Sequence, residues 1–413
     1  MKRGQLETNL LVLVTLGLVA FGLVMVYSAT SAPAAIGGTN PMHYLIRQSA
    51  YALLGLVLLL VLSRTSYRTL KRLAPTLVVS SLVLLAAVLV VGTRINGARR
   101  WIAVGPIVFQ PSELAKLGLC VWVAAYLGRR RTPRTLRELW KPLGLLTGLM
   151  CVLILAEPDL GTAIAIALMV GGILLVSGAP LGLLARAGTI ALALGVLAIW
   201  FEPYRRARLF GFLHPWRDAQ GAGYQAAQAL ISIGSGGFFG KGLGGGQAAG
   251  PIFYLPEAHT DMIFATIGEE LGLLGTAALI AAYAVFAYAG LRIALACADP
   301  FGKRLAAGLT VLISGQAALN IAAVVGIAPL TGITLPFVSY GGSSLVVGLA
   351  SVGILLNIGS SDVRRARASV PDRSRGDGRP RAAGARGGGG AARTRRSGDV
   401  RRVGGSRRVA ARS

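Results

Sequence analysis

Long apolar runs, separated by short polar segments, make up most of this chain. Because a helix rises about 1.5 Å per residue, about 20 apolar residues span the hydrocarbon core of a bilayer. The pattern predicts an all-α polytopic membrane protein with ten transmembrane helices and a large extracytoplasmic loop between helices 7 and 8. The predicted spans, several of them short, are 9–29, 46–63, 73–92, 113–128, 142–156, 161–178, 186–201, 262–290, 304–327 and 339–358.

Basic residues are concentrated in segments that alternate on one side of the predicted spans. Segment 64–72 carries four Lys or Arg, segment 129–141 carries six, and Lys303 and Arg304 open the ninth span. Cytoplasmic loops of membrane proteins carry this excess of positive charge. The N- and C-termini are therefore predicted to be cytoplasmic. The segments predicted to be extracytoplasmic are 30–45, 93–112, 156–160, 202–261 and 328–338.

The composition supports a membrane protein and explains the net charge. Of 413 residues, 54% are apolar and 14% are charged, with a mean hydropathy of +0.64. Soluble domains carry about 25% charged residues. The net charge of +26 suggests nucleic acid at first, but residues 362–413 alone carry sixteen Arg and four Asp. We predict a membrane domain at 1–361 and a disordered Arg/Gly-rich cytoplasmic tail at 362–413 that lies on anionic lipid. RNA binding by the tail is the alternative; no nucleic-acid partner is expected.

The long segment 202–261 is basic although it is predicted to be extracytoplasmic. Its cations are Arg205, Arg206, Arg208, Arg217 and Lys241. Long loops escape the charge rule, so the predicted topology stands. The charge is either ordinary solvated charge or a site for an anionic partner such as a lipid phosphate, whose oxygens match the forked guanidinium group.

The stretch YLPEAHTDMIFATIGEELGLLGT, from Tyr254 to Thr276, places ionisable residues where an apolar helix begins. If Pro256 occupies the first turn of that helix, Glu257 and Asp261 share one face, with His259 between them. Asp261 is then near the positive end of the helix dipole, where a carboxylate suits a general base or a metal ligand. The alternative is a cap or a surface charge. Glu269 lies deeper and is expected to be paired inside the bundle.

The stretch NGARRWIAVGPIVFQPSELAK, residues 96–116, is a second group of polar residues at an outer loop. It contains Arg99, Arg100 and Trp101, and Trp suits a membrane interface. Glu113 and Lys116 are three residues apart at the start of the fourth span and can form an ion pair. That pair is interpreted as structural, and it can still position a catalytic group.

Three shorter stretches carry weaker signals. Glu157 and Asp159 lie at an outer turn, where capping of a helix is the simplest interpretation. Segment 332–344, which contains Gly341 and Gly342, interrupts an apolar region and is predicted to be a re-entrant or cavity-lining turn, since irregular backbone at membrane depth needs protein or water beside it. The glycine-rich segment 240–250 lacks a βαβ context and is predicted to be a flexible loop without a nucleotide.

Five motifs occur here in the order typical of the SEDS family, the group that includes FtsW, RodA and SpoVE. They are MVYSAT, GARRWI…QPSELAK, PDLGTA, LPEAHTDMIFATIGEELG and LPFVSYGGSS. The resemblance covers about residues 9–358, and Ala258 in LPEAHTD resembles the division-type branch more than the elongation-type (RodA) branch. It implies a ten-span peptidoglycan glycosyltransferase that polymerises lipid II during septal cell-wall synthesis, in the bacterial plasma membrane at the division septum. It also implies a class B penicillin-binding protein, a transpeptidase, and other divisome proteins as partners.

The resemblance also implies roles for particular residues. Asp261 corresponds to the family's essential aspartate and is the candidate catalytic base. Trp101 corresponds to a functionally important tryptophan, Glu113 and Lys116 to an ion pair near the cavity, and Gly341 and Gly342 to the last-loop motif. Further residues are grouped with Asp261 as supporting or substrate-binding groups: Arg99, Arg100, Arg205, Arg208, Glu257 and His259.

The implied chemistry needs a base at the acceptor hydroxyl and positive charge at the departing pyrophosphate. Several arginines, or a divalent cation such as Mg²⁺ or Mn²⁺ at Asp261, would supply that charge. No organic cofactor is expected. The alternatives are a lipid II flippase, an elongation-type polymerase, or a scaffold that only recruits the transpeptidase.

Overall fold

Helices make up most of the computed structural model, which describes residues 3–34, 40–95, 98–105, 107–217, 220–221, 223–246 and 255–368. In chain order the helices are α1 (Arg3–Ala34), α2 (Pro41–Arg64), α3 (Arg68–Val91), α4 (Pro111–Arg129), α5 (Leu136–Leu139), α6 (Leu145–Ala156), α7 (Leu160–Val176), α8 (Leu181–Phe201), α9 (Pro203–Leu213), α10 (Tyr224–Gly236), α11 (Ile263–Ala296), α12 (Pro300–Val324) and α13 (Gly342–Ala368). A π-helical turn, Trp140–Gly144, joins α5 to α6. Each of the ten predicted apolar runs overlaps one of these helices.

The described helices confirm a multi-pass membrane protein. Eight of the described segments are long and apolar enough to cross a membrane, and α7 is a shorter apolar helix. The helix α4 is not among the eight, and it carries the buried charged residues Glu113 and Lys116. The count of ten spans therefore stays a prediction.

Helix starts follow local sequence signals. Pro occupies the first turn of α2, α4, α9 and α12, where a missing N–H costs nothing. Asp159 accepts a hydrogen bond from the backbone N–H of Thr162 at 3.0 Å and so caps α7. This confirms capping as the role of Asp159 at the turn between α6 and α7.

The alternation of helices separates the two ends of the bundle. At one end α2, α4, α7, α11 and α13 begin, and we call it the cavity end. There, Gln48 Nε2 donates to the carbonyl oxygen of Ser339 at 3.1 Å, and the Gln110 N–H donates to Ser343 Oγ at 3.0 Å. These bonds join α2 and α4 to the segment around the start of α13.

The opposite end carries the basic loops predicted to be cytoplasmic, and we call it the basic end. There, Arg304 Nε donates to Ser177 Oγ at 2.8 Å, and the Tyr67 N–H donates to Asn357 Oδ1 at 3.0 Å. The described part of α13 continues past the predicted boundary at Ser361 as far as Ala368. Residues 369–413, most of the predicted tail, lie outside the described residues.

The segment between α3 and α4 contains three short strands that the apolar pattern does not predict. They are β1 (Thr93–Ile95), β2 (Ala98–Val104) and β3 (Ile107–Phe109), paired antiparallel in the order β1-β2-β3. Trp101 pairs with Thr93 in this sheet. The strands place Arg100 and Trp101 above the cavity end of the bundle.

The segment predicted as a long loop, 202–261, contains α9 and α10. A Cβ atom on Gly236 of α10 would lie 1.9 Å from the carbonyl oxygen of Gly268, so only glycine allows this close approach of α10 to α11. Residues 240–246 form a loop, as predicted, and the flexibility of segment 240–250 stays a prediction. There, the backbone N–H groups of Lys241 and Gly242 donate to the carbonyls of Glu269 and Glu270 at 3.0 and 2.9 Å.

Candidate functional site

A cavity of about 650 Å³ opens at the cavity end of the bundle. Its walls come from α2, β2, β3, α4, α9, α12, the turn before α7, the turn before α11 and the segment between α12 and α13. Nine of the predicted site residues line it: Arg100, Trp101, Glu113, Arg208, Glu257, His259, Asp261, Gly341 and Gly342. The segment 332–344 lines the cavity, as its interrupted apolar pattern predicts.

Asp261 lies in a wall of this cavity and is 7% exposed. Burial raises the pKa of its carboxyl to about 6, against the opposing attraction of the Arg208 guanidinium. The nearby Glu257 carboxylate raises this pKa further, whereas hydrogen bonds from the Thr260 hydroxyl and from a backbone N–H lower it. Asp261 is therefore a stronger proton acceptor than a surface aspartate and is still ionised at neutral pH.

The start of α11 differs from the sequence prediction. Residues 256–262 form turns, and the helix begins at Ile263, so Pro256 does not occupy its first turn. Glu257 has φ 58°, which is outside helical backbone. Glu257 and Asp261 therefore do not share a helix face; the Thr260 hydroxyl lies between them, 2.8 Å from Glu257 Oε2 and 3.3 Å from Asp261 Oδ1.

Arg208 is the cation that faces Asp261 across the cavity. It projects from α9, and its guanidinium carbon lies 4.8 Å from the centre of the Tyr204 ring. Gly332, with φ 72°, lies between the two charged groups. A Cβ atom at Gly332 would lie 3.4 Å from Arg208 Nη1 and 4.0 Å from Asp261 Oδ2. The cavity thus has a proton acceptor and a guanidinium on either side of one glycine.

Arg100 lines the cavity, and its guanidinium is fixed by backbone carbonyls. Its Nε donates to the carbonyl of Glu157 at 2.7 Å, and its Nη2 donates to the carbonyl of Pro158. None of the salt bridges found among the described residues involves Arg100 or Arg208. Arg208 Nη1 also donates to the Leu330 carbonyl at 3.4 Å. Each guanidinium group has five N–H donors, so both can bind an anion that enters the cavity with the donors that these carbonyls do not use.

The structure places two of the predicted arginines outside the cavity lining. Arg99 Nη1 donates to the carbonyl of Leu89 at 3.1 Å, near the end of α3. Arg205 Nη1 donates to the carbonyl of Ala198 at 3.1 Å, near the end of α8. Both guanidinium groups thus satisfy carbonyls at helix C-termini that the helices leave unpaired.

Glu113 and Lys116 form the predicted ion pair, with 2.9 Å between Oε1 and Nζ. Glu113 lines the cavity, whereas Lys116 lies behind it and also donates to Gln316 Oε1 at 2.8 Å. The predicted pairing of Glu269 inside the bundle is also confirmed. Its Oε1 lies 2.8 Å from Lys241 Nζ, away from the cavity lining.

His259 belongs to an aromatic cluster at the edge of the cavity. Its ring centre is 4.9 Å from that of Tyr44 and 5.6 Å from that of Tyr340. Burial lowers the pKa of His259, with an opposing effect from Glu257, so the ring is neutral at neutral pH. A neutral ring favours packing and hydrogen bonding over anion binding at this position.

Sequence reasoning missed several residues around the cavity. Arg47 of α2 lines it and hydrogen-bonds the Tyr340 side chain, and no salt bridge found in the described residues includes Arg47. Gln316 of α12 also lines it. Polar residues inside an apolar run, such as Gln316, are rare unless they face a cavity or a partner, and that signal was present in the sequence.

The model of the family described as "Cell cycle protein", FtsW/RodA/SpoVE, matches residues 8–363. The chain belongs to this family. It is 40% identical over 351 residues to a probable peptidoglycan glycosyltransferase FtsW of Trichlorobacter lovleyi, covering 84% of this chain and 92% of that protein. It is 42% identical over 359 residues to a protein of the same name from Idiomarina loihiensis, covering 86% and 87%.

Solved structures of the FtsW/RodA/SpoVE family share this fold. A chain from a peptidoglycan synthase complex, described as coordinating polymerization and crosslinking, matches with a TM-score of 0.71 and 35% identity, over 85% of this chain and 97% of that chain. The rod shape determining protein RodA of Thermus thermophilus matches with a TM-score of 0.62 and 33% identity, over 85% and 96%.

Glu157 gives this family member a testable pH dependence. Its carboxylate is fully buried, and neither oxygen has a hydrogen-bond partner among the described residues. Burial and the nearby Asp159 raise its pKa to about 8, against the attraction of Arg100. At a pH between the ordinary pKa of 4.5 and the raised pKa of about 8, Glu157 has lost its proton in the unfolded chain and keeps it in the folded chain. Stability therefore falls as pH rises through this window.

We expect the Glu157→Gln variant to lack that decline, because Gln stays neutral. Its unfolding temperature should exceed that of the wild type by a few degrees at pH 8, and the difference should vanish towards pH 4.5. Thermal unfolding across this range is the measurement, with Glu202→Gln at an exposed position of the cavity end as the control. Parallel curves for Glu157→Gln and the wild type would show that folded Glu157 is ionised.

Proposed function

We propose that this chain polymerises lipid II into glycan strands, as a peptidoglycan glycosyltransferase of the division type. The observation that carries the proposal is the cavity in which buried Asp261 faces Arg208, with Arg100 and Arg47 in the same lining. A proton acceptor and guanidinium groups in one cavity match a reaction that deprotonates a sugar hydroxyl and releases a pyrophosphate. The relatives named as peptidoglycan glycosyltransferases support the same activity.

In the proposed step, the 4-hydroxyl oxygen of the acceptor GlcNAc attacks the anomeric carbon of the donor sugar. A bond forms between that oxygen and the anomeric carbon, while the bond from the anomeric carbon to the pyrophosphate oxygen breaks. The hydroxyl proton passes to the Asp261 carboxylate. Undecaprenyl pyrophosphate leaves as an anion, and Arg208, Arg100 and Arg47 are the lining groups that stabilise its charge.

A divalent cation remains part of the proposal. No group of three or more His, Cys, Asp or Glu suited to a metal occurs in the described part of the chain. The carboxylates of Glu257 and Asp261, which share the Thr260 hydroxyl, could supply two oxygen ligands. Mg²⁺ is commonly held by one or two carboxylates together with substrate phosphates and water, so the residues fit such an ion. The ion would neutralise charge on the pyrophosphate.

The proposed partners are a class B penicillin-binding protein, which would cross-link the strands, and other divisome proteins at the division septum. The solved relative is part of a peptidoglycan synthase complex, which supports a transpeptidase partner. The division-type assignment rests on the relatives named FtsW and on the wording of the LPEAHTD motif.

The proposed activity is tested by electrophoresis of glycan strands made from lipid II. Purified chain is incubated with lipid II, with and without a class B penicillin-binding protein and with or without EDTA. We expect glycan strands when the transpeptidase is present. If EDTA stops strand synthesis, added Mg²⁺ or Mn²⁺ should restore it. Movement of lipid II across vesicles without strand formation would instead support a flippase. If the purified chain neither makes strands nor moves lipid II, the scaffold alternative would be supported.

The proposed orientation places the cavity end outside the cytoplasm and both termini inside. The Lys- and Arg-rich loops all lie at the basic end, and an excess of positive charge is typical of cytoplasmic loops. Single cysteines at two exposed positions, Ser66→Cys at the basic end and Pro203→Cys at the cavity end, test it. In intact cells stripped of any outer layer, a membrane-impermeant thiol reagent should label Pro203→Cys alone. Equal labelling of both would contradict the orientation.

Gly332 offers a test of the space between Asp261 and Arg208. We expect Gly332→Ala to lower the polymerisation rate at least about tenfold. The added methyl would be in ordinary van der Waals contact with Arg208 and Asp261 and would fill the space between them, so it would displace substrate groups that must be placed to about 1 Å. The control is Gly326→Ala in the same segment. Gly326 has φ 75°, and its Cβ would contact only Leu230, at 3.5 Å.

Both glycine variants carry the same backbone cost of about 1–2 kcal/mol for a left-handed conformation. Their unfolding temperatures should therefore fall by similar amounts, whereas the polymerisation rate should fall in Gly332→Ala and not in Gly326→Ala. Equal rates for the two variants would show that the gap beside Gly332 is not used by substrate.

A further inference from the structure

The helix α12 presents two buried amides, one turn apart, to the back of the cavity. Gln316 is 4% exposed and Asn320 is 2% exposed. Asn320 Nδ2 donates two hydrogen bonds of 2.8 Å, one to the carbonyl oxygen of Asp261 and the other to that of Ile333.

The two carbonyls bound by Asn320 belong to neighbouring segments of the cavity wall. Asp261 carries the carboxylate, and Ile333 directly follows Gly332, which lies between that carboxylate and Arg208. One side chain on a long helix therefore joins the turn that carries Asp261 to the neighbouring segment that contains Ile333. Within its own turn, the Asp261 segment is held by the N–H groups of Thr260 and Met262, which donate to the Glu257 carbonyl.

Gln316 extends the same connection to the buried ion pair. Its Oε1 accepts from Lys116 at 2.8 Å, and its Nε2 donates to the carbonyl of Thr334 at 3.0 Å. Residues Ile333 and Thr334 are thus held by successive turns of α12. A segment fixed at two adjacent carbonyls has little freedom to move along the cavity wall.

We propose that Asn320 is a positioning residue that fixes the Asp261 carboxylate relative to the Gly332–Thr334 segment. The proposal rests on the proposed function of Asp261 as the base. A base must lie within about 3 Å of the hydroxyl it deprotonates, and a misplacement of about 1 Å can cost a hundredfold in rate. Asn320 does not line the cavity, so it acts through the backbone of Asp261 and makes no contact with the substrate.

A merely structural amide is available for comparison at the basic end. Asn357 of α13 is 8% exposed, donates from Nδ2 to the Ser63 carbonyl at 2.7 Å, and accepts from the Tyr67 N–H at 3.0 Å. Like Asn320, it is a buried amide with two backbone hydrogen bonds that joins separate segments. It differs in lying at the opposite end from Asp261.

The test compares Asn320→Leu, Asn320→Asp and Asn357→Leu with the wild type in detergent or nanodiscs. Leucine keeps the branched shape of asparagine and removes both hydrogen bonds, and its larger volume is common to the two leucine variants. A buried, neutral aspartic acid has one O–H and can keep one of the bonds to the two carbonyls. Thermal unfolding, the kcat and KM for lipid II polymerisation, and hydrogen–deuterium exchange of residues 255–262 and 331–334 are measured for each.

We expect Asn320→Leu and Asn357→Leu to lower the unfolding temperature by similar amounts. Only Asn320→Leu should lower kcat, by about 10–100-fold with KM changed less than about threefold, since it displaces the base without removing a substrate contact. Asn320→Asp should fold and fall between Asn320→Leu and the wild type in kcat. Exchange should rise at both segments in Asn320→Leu and at neither in Asn357→Leu.

A wild-type kcat in folded Asn320→Leu or Asn320→Asp would overturn the proposal. An equal loss of kcat in Asn357→Leu would overturn it as well, because the effect would then be general destabilisation. If the wild type itself makes no polymer, the proposed function fails, and the exchange data alone decide whether Asn320 anchors the two segments.

Discussion

The Asp261→Asn variant is expected to fold normally and to make almost no glycan polymer. Asn keeps the shape of the side chain and can still meet the Thr260 hydroxyl, which lies 3.3 Å from Oδ1. It cannot accept the proton of an acceptor hydroxyl, and it is a poor ligand for a hard cation. Loss of a general base costs about 10²–10⁴ in rate. Lipid II polymerisation and thermal unfolding of the purified variant are the measurements.

Two neighbouring substitutions sharpen this test. Asp261→Glu keeps the charge but moves the carboxylate by about 1 Å, so a loss of about a hundredfold is expected. Glu257→Gln keeps the size of a side chain that lies on the other side of Thr260. Glu257 supplies at most one ligand to the proposed cation and is not the base, so this variant should reduce the rate less than Asp261→Asn does. Near-normal polymerisation by Asp261→Asn would remove Asp261 from the mechanism and would favour the flippase and scaffold alternatives.

The positions of the helices could be predicted because apolar length decides them. A run of about 20 apolar residues has few stable arrangements other than a helix across a bilayer, so all ten runs overlap helices in the structure. The three strands between Thr93 and Phe109 were not predicted, because they are only three to seven residues long and their pairing depends on contacts between separate segments. Short strands carry little local signal.

The candidate site could be predicted only in part, for a physical reason that particular residues show. Asp261 and Glu113 are carboxylates in or beside apolar runs, where an ionisable group needs a reason to be present. Arg99, Arg205 and Arg208 look alike in the sequence, yet only Arg208 reaches the cavity while the other two bind helix carbonyls. Arg47 has no neighbouring motif, and only the packing of α2 beside Tyr340 brings it to the site.

The start of α11 shows how a local signal can mislead. Pro256 suits the first turn of a helix, but the chain forms turns until Ile263, and Glu257 adopts φ 58°. Inside a helix the Asp261 carbonyl would accept from the Ala265 N–H, but that N–H donates to the Met262 carbonyl at 2.9 Å, and the Asp261 carbonyl accepts from Asn320 of α12 instead. A tertiary hydrogen bond thus overrides the local preference, and it places Asp261 on a turn at the cavity wall.

The Glu113→Ala variant is expected to lose both stability and activity. Lys116 is 2% exposed, and without Glu113 its charge keeps only the amide oxygen of Gln316 as a partner among the described residues. Removing one partner of a buried ion pair costs about 3–5 kcal/mol, because an uncompensated charge stays buried. The unfolding temperature of the purified variant should therefore fall by several degrees or more.

Exchanging the pair, Glu113→Lys with Lys116→Glu, should restore part of the stability. The restored attraction favours recovery, but a carboxylate at position 116 would face Gln316 Oε1. Gln316 would have to rotate its amide to donate, and that rotation breaks its hydrogen bond to the Thr334 carbonyl, now 3.0 Å long. Because Thr334 belongs to the segment that Asn320 joins to Asp261, the exchanged variant should recover more of its stability than of its activity.

Removing both charges, Glu113→Gln with Lys116→Met, separates charge balance from chemistry. Replacing a buried ion pair by uncharged groups of similar size is often neutral or stabilising, so this variant should unfold close to the wild-type temperature. Its polymerisation rate should exceed that of Glu113→Ala assayed below both unfolding temperatures. If Glu113→Ala instead unfolds at the wild-type temperature and is inactive, the structural role is wrong and the Glu113 carboxylate, which lines the cavity, takes part in the reaction.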